Sequence, residues 1–167
     1  MRGRTVFVGM LLIGAALMMT GCATAFDIGK ADRTLQPREV AQNPAIAAHR
    51  EVAWGGMVVN GKNLTDNTQF EVVAYPLDDD NRPKTEAGPL GRFIVIHPGY
   101  LETADYAPGR LLTAVGTVSG TRSGKVGEAD FVYPVVSASR LKLWPAETRQ
   151  RSSEPSFHFG IGIGIIR

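Results

Sequence analysis

A cysteine thiolate is a strong nucleophile, and this chain carries one cysteine, Cys22, directly after Met19-Thr20-Gly21. With no second cysteine it cannot close an internal disulfide, and no metal-ligand spacing surrounds it. The three histidines, His49, His97 and His158, stand far apart in the chain. Gly120-Thr121-Arg122-Ser123-Gly124-Lys125 superficially suggests a phosphate-binding loop. It has three residues between its glycines where four are needed, and Val126 rather than a hydroxyl after the lysine. A glycine-rich hairpin over Ser119–Gly127 is the better reading. Gly160-Ile161-Gly162-Ile163-Gly164 is followed in this sequence only by Ile165, Ile166 and Arg167, so the helix of a dinucleotide site is missing. Its alternation suits a terminal strand or tail instead. Asp78-Asp79-Asp80 could offer carboxylates to calcium, but the spacing and terminal Glu of a calcium loop are absent. A solvated turn is expected there. Glu71, Glu102, Asp105 and Glu128 could do acid–base work only if the fold pairs two of them. No Gly-x-Ser-x-Gly elbow occurs. The sequence therefore predicts no catalytic, metal-binding or cofactor-binding residue, and a protein that is not an enzyme.

Cys22 is different because of what precedes it. Arg2 and Arg4 form a cationic stub, and Thr5 to Met19 contains no charge. A cationic start, a short apolar run and small residues before a cut site make an export signal. About 20 apolar residues are needed to span a bilayer, so the run is too short for a comfortable transmembrane helix. The residues around Gly21-Cys22 resemble the bacterial lipoprotein signal, with Met19 where leucine is usual. That resemblance implies diacylglyceryl transfer to the Cys22 thiol, cleavage before it, and acylation of the new amine. Each buried methylene contributes about 0.8 kcal/mol and one chain binds only marginally, whereas three hold effectively permanently. Ala23, in place of aspartate, implies by resemblance to Gram-negative lipoproteins delivery to the outer membrane. The partner so implied is outer-membrane lipid.

Loss of residues 1–21 removes Arg2 and Arg4, so the chain's 18 basic residues fall to 16, against 16 acidic ones. A neutral mature chain has no strong field to gather nucleic acid. Residues 22–50, with Asp27, Gly29, Lys30, Asp32, Arg33, Pro37 and Asn43-Pro44, read as a flexible, lipid-anchored tether reaching about 30 Å. Within them Pro37–Gln42 could form a helical turn ended by Pro44.

Residues 51–145 have a β texture. Strands are predicted over 52–59, 70–75, 91–96, 111–118 and from Phe131, the last interrupted at Pro134. Gly55-Gly56 suggests a bulge or tight bend, and Asn60-Gly61 has turn chemistry. The predicted fold is all-β, a small five-stranded OB-like barrel or an open sandwich. Residues 146–167 read as a linker and Gly/Ile-rich strand or tail.

Along these strands the sequence resembles the Slp family of starvation-inducible outer-membrane lipoproteins of Gram-negative bacteria. The resemblance rests on Trp54-Gly55-Gly56, Tyr75-Pro76-Leu77, Arg82-Pro83, Gly91-Arg92-Phe93, Gly109-Arg110, Tyr133-Pro134-Val135-Val136 and Leu143-Trp144-Pro145. Leu101-Glu102-Thr103 departs from the family's Leu-Asp-Pro. The resemblance implies a non-enzymatic envelope lipoprotein at the outer membrane. The alternative expectation is an envelope ligand-binding module, taking a glycan, peptidoglycan, a small molecule or an envelope protein through Trp54 and Tyr106 on the barrel face, since OB-like faces bind oligonucleotides and oligosaccharides. Neutrality and location disfavour nucleic acid.

Overall fold

β-branched and aromatic residues dominate five segments between residues 51 and 143, and each forms a strand. They are β1 Glu51–Asn63, β2 Asn67–Tyr75, β3 Arg92–Pro98, β4 Leu111–Val126 and β5 Ala129–Leu143. The computed structural model describes residues 25–146. The strands close into a barrel in the order β1-β2-β3-β5-β4. β3 and β5 pair in parallel, from Ile94↔Val135 to Ile96↔Ser137, and the other pairs are antiparallel. β1 serves two neighbours. Its first half pairs with β4, from Glu51↔Thr117 to Met57↔Leu111, and its second half with β2, from Gly55↔Tyr75 to Asn63↔Thr68. A strand shared in this way turns a five-stranded sheet into the OB-like barrel rather than the open sandwich.

Alternation along each strand sends one set of side chains inward. Val52, Trp54, Val58, Phe70, Val72, Phe93, Val95, Leu112 and Val136 fill the interior. Trp54 meets Phe93 edge-to-face at 5.3 Å. The barrel bends where strands approach most closely. A Cβ on Gly56 would lie 1.9 Å from the Val73 carbonyl oxygen, and one on Gly116 would lie 2.2 Å from that of Ser137. Register shifts mark Val58/Asn60, Val115/Gly116 and Val118/Gly120. The bend expected at Gly55-Gly56 is thus a close approach, and the nearest bulge falls at Val59. Pro134 stays in the ladder opposite Thr121, beside the last of these irregularities.

Two expected turns are strand. Asn60-Gly61 continues β1, opposite Glu71 and Phe70, and the chain reverses only after Asn63. Gly61 is needed for packing, since a Cβ there would lie 2.9 Å from the Phe70 ring. Residues 119–126 extend β4 as an arm, paired with β5 down to Val126↔Ala129. The reversal is confined to Gly127-Glu128, with Gly127 at φ +60°.

The flexible tether is the main correction. From Phe26 onward the segment packs on the barrel. Phe26 and Ile28 cover Ala31, Ala53 and Val115 on the outer face of β1 and β4. Asp32 then bridges to β1, its amide donating to Glu51 O at 3.0 Å and its carbonyl accepting from Ala53 N at 2.9 Å. One Asp32 carboxylate oxygen caps the following turn through Thr34 N, Thr34 Oγ1 and Leu35 N, while the other accepts from Arg50 at 2.6 Å. These bonds, that from the Thr34 hydroxyl foremost, hold its carboxyl below the usual aspartate range. Helix α1, Pro37–Gln42, follows as expected, and a 3-10 turn, Pro44–Ala47, leads into β1. Leu35, Val40 and Ala47 join the main core and seal one end of the barrel. The apolar residues look scattered in sequence because each meets a different strand. Residues 1–24 and 147–167, including the export signal, Cys22 and the Gly/Ile-rich tail, lie outside the described residues.

Two measurements check this docking. Trp54→Phe removes the partner of the Leu35 carbonyl, and urea unfolding should report a loss of about 1–3 kcal/mol. Amide exchange at Asp32 and Ala53 should be slowed like that of strand residues; exchange at coil rates would contradict a docked segment.

Candidate functional site

β2 presents Gln69 and Glu71 on its outer face, the parity opposite to inward Phe70 and Val72. β3 adds Ile94, opposite Glu71, and Arg92, opposite Val73. The β1–β2 hairpin stands on one side with Asn60, Gly61 and Lys62. The arm of β4 and β5 stands on the other with Arg122, Ser123, Gly124, Lys125 and Tyr133. Between them lies a cleft of about 240 Å³.

Its polar groups are held in a network drawn from four strands. Arg92 Nη1 donates to Glu71 Oε1 at 2.6 Å. The Tyr133 hydroxyl has one proton and two acceptors in reach, Glu71 Oε1 at 3.2 Å and the Lys125 carbonyl at 3.0 Å. Burial, and then the Glu71 charge, pushes the Tyr133 phenol above the usual tyrosine range, with Arg92 opposing. Gln69 is only 7 % exposed; its Oε1 accepts from Arg122 Nη1 at 2.9 Å and its Nε2 donates to Asn67 Oδ1 at 3.0 Å. Gly124 lets the Tyr133 ring lie against the arm, because a Cβ there would come within 3.0 Å of that ring. Among the described residues, Lys62, Arg122 and Lys125 form no ion pair.

Neither aromatic expected on a ligand face reaches this cleft. Trp54 is 3 % exposed inside the barrel, and its indole Nε1 donates to Leu35 O at 2.7 Å. Tyr106, in the loop between β3 and β4, stacks on Phe70 with ring centroids 4.7 Å apart. Both are packing residues here. Of the four acids, Glu71 is engaged by Arg92 and Tyr133, and Glu102 accepts from the Tyr100 hydroxyl. The Asp78–Asp80 run is a turn held by its own carboxylate, with Asp78 Oδ1 accepting from Asp80 N and Arg82 N. Among the described residues no three His, Cys, Asp or Glu side chains gather as for a metal. Gln69 and Arg92 were not expected at a site, and Arg122 and Lys125 come from the glycine-rich stretch that the sequence reads as a hairpin. The outward parity of Gln69 and Glu71 is the sequence signal that points to the β2 side of the cleft.

A second depression of about 410 Å³ is lined by Met57, Arg82, Pro108, Arg110 and Pro145 among others. Arg110 is committed there to backbone, donating to Asp105 O and Trp144 O at 2.9 and 3.0 Å. That depression closes a loop against the end of β5.

The sequence matches the outer membrane lipoprotein Slp family over residues 19–161. The chain belongs to that family. It is similar to lipoprotein YeaY of Escherichia coli, 30% identical over 144 residues, covering 84% of this chain and 74% of that one. It is also similar to outer membrane protein Slp of the same organism, 22% identical over 158 residues, covering 92% and 84% respectively. Among solved structures, a small single-stranded DNA-binding protein from Streptomyces coelicolor gives a TM-score of 0.37 at 15% identity. That match spans 57% of this chain and 94% of the other, and carries no functional argument. Family membership assigns the chain to the outer membrane.

The Tyr133 network makes a titration prediction. A phenol whose folded pKa is raised stabilises the fold fully below its unfolded value, about 10, and loses that contribution as pH rises toward the folded one. Glu71→Gln removes the charge but leaves the burial. The tyrosinate absorbance of Tyr133, isolated by difference against Tyr133→Phe, should therefore titrate lower than in the parent chain yet above the usual range. An unchanged midpoint would show that Glu71 does not act on the phenol.

Proposed function

We propose that this chain is a non-enzymatic envelope lipoprotein, held at the outer membrane by acylated Cys22 with its barrel close against the leaflet. The observation that carries the reading is where the family match begins. Residue 19 is the first of Met19-Thr20-Gly21-Cys22, so the region shared with the family takes in these four residues as well as the barrel.

The docked N-terminal segment shortens the anchor. Phe26 N donates to Asp80 O at 3.2 Å, and Phe26 O accepts from Asn81 Nδ2 at 2.9 Å. Phe26 comes four residues after Cys22, and even fully extended those four steps span no more than about 14 Å. A coil of residues 22–50 would have given about twice that reach. The flank carrying Phe26, Asp80 and Asn81 is accordingly the one nearest the lipid headgroups.

Two variants test this. Cys22→Ser should abolish labelling by radioactive fatty acid and release the protein from sedimented membranes; persistent label would sink the anchor. A long Gly/Ser insertion between Thr24 and Ala25 should keep the label while energy transfer between barrel and bilayer falls. Equal transfer in both chains would show that the short link does not set the height of the barrel.

A further inference from the structure

The cleft between the β1–β2 hairpin and the β4–β5 arm has a charge pattern the rest of the molecule does not explain. The mature chain is balanced, yet three cations without ion partners among the described residues converge here, Lys62 from one wall and Arg122 and Lys125 from the other. The one carboxylate lining the cleft, Glu71, is engaged by Arg92 and the Tyr133 hydroxyl. A concave site of one sign focuses its field and draws in a counter-charge. Arginine adds a planar fork suited to carboxylate or phosphate, and lysine a point charge.

The neutral groups narrow the class further. Gln69 is fixed by two hydrogen bonds and retains one amide proton and one lone pair, since a primary amide can make four. Asn60 supplies a second amide and Ser123 a hydroxyl. Such mixed donors and acceptors match the hydroxyl and acetamido groups of a sugar. Bases of single-stranded nucleic acid need exposed aromatic faces to stack on. Here the lining aromatics are buried, Phe70 at 0 % and Tyr133 at 4 % exposure. The volume of about 240 Å³ lies below the ~300 Å³ lower end for drug-sized ligands, which suits one terminal unit of a longer chain.

We propose that this cleft binds the anionic end of a glycan, a sugar bearing a carboxylate or a phosphate. The site is independent of the anchor, so its test does not depend on acylation of Cys22. The full-length protein in detergent is titrated with N-acetylmuramic acid, N-acetylglucosamine 6-phosphate, neutral N-acetylglucosamine and inorganic phosphate, while backbone amide resonances are followed. Saturable shifts centred on Gly61, Gln69 and Gly124 with an acidic sugar, and none with the neutral one, are expected. Which acidic sugar binds tighter separates a carboxylated from a phosphorylated source. The double variant Lys62→Glu/Lys125→Glu, at two exposed positions, should weaken binding at least about tenfold with thermal unfolding unchanged; Arg122→Ala is the second variant should the first misfold. Equal shifts with the neutral sugar, shifts elsewhere, or no saturation at millimolar sugar would overturn the proposal. Inorganic phosphate binding as tightly as both acidic sugars would overturn the sugar contacts.

Discussion

The hydrogen bond from the Trp54 indole to the Leu35 carbonyl, 2.7 Å long and buried, is the contact on which the rest of the architecture turns. A small barrel needs a large ring to fill its interior, and tryptophan brings an N–H that must be satisfied when buried. A carbonyl from outside the sheet solves the problem, and it comes from a segment that brings Leu35, Val40 and Ala47 with it to close the open end. Arg38 N then donates to Leu90 O, and the start of β3 is tied to the same plug. One polar atom in an apolar interior thus recruits about twenty residues into the fold.

The other exposed sectors of the barrel are covered by similar logic. Asn81 sits at φ +65° and is buried, a position that a short amide side chain tolerates. It accepts from Arg33, donates to Phe26 O, and its carbonyl takes the hydroxyl proton of fully buried Thr113. Thr113 Oγ1 in turn accepts from Trp144 Nε1 at 3.0 Å. This relay fastens the N-terminal segment, the 78–82 turn and the end of β5 over the outer faces of β1 and β4. The face of β2 and β3 beside the arm has no such cover. It is polar, and the two hairpins that flank it lean in through Gln69–Arg122 and Glu71–Tyr133. The cleft lies where the outer face of β2 and β3 is left uncovered between them.

Much of this is legible in the sequence, and the failures have physical causes. The strands are readable from composition and parity. Trp54 even shares its parity with Val52 and Val58, so strand alternation alone gives its inward direction. The same residue type also suits a stacking role on an OB-like face, and that competing role masks the parity signal. The docking of residues 26–47 is not legible, because Ala31, Leu35, Val40 and Ala47 follow neither a helical nor a strand period. Each faces a different part of the barrel, and periodicity reports only residues that share one surface. The cleft is hidden by distance. Glu71 meets Tyr133 across 62 residues and Gln69 meets Arg122 across 53, pairings that only the closure of the barrel creates. The arm is hidden because its polar, glycine-containing sequence resembles a loop, while its backbone pairs to the tip.

Closure also fixes how the two ends of the molecule relate. Ala53, beneath the docked segment, and Gly61, at the cleft, lie eight residues apart on β1, at most about 26 Å at ~3.3 Å per residue and less where the bulge at Val59 bends the strand. On the proposed anchoring, a short link at one end would limit how far the other stands from the leaflet. The Debye length is about 8–10 Å near physiological salt, so on the proposed anchoring a cleft more than that distance from the leaflet would feel little of its surface charge. Lys62, Arg122 and Lys125 would then respond to groups that enter the cleft itself rather than to anionic headgroups below. A coil reaching about 30 Å would lose that distinction, since the same cations could tumble onto the membrane. Under the anchoring proposed above, the bond that docks the N-terminal segment would also hold the cleft away from the lipid.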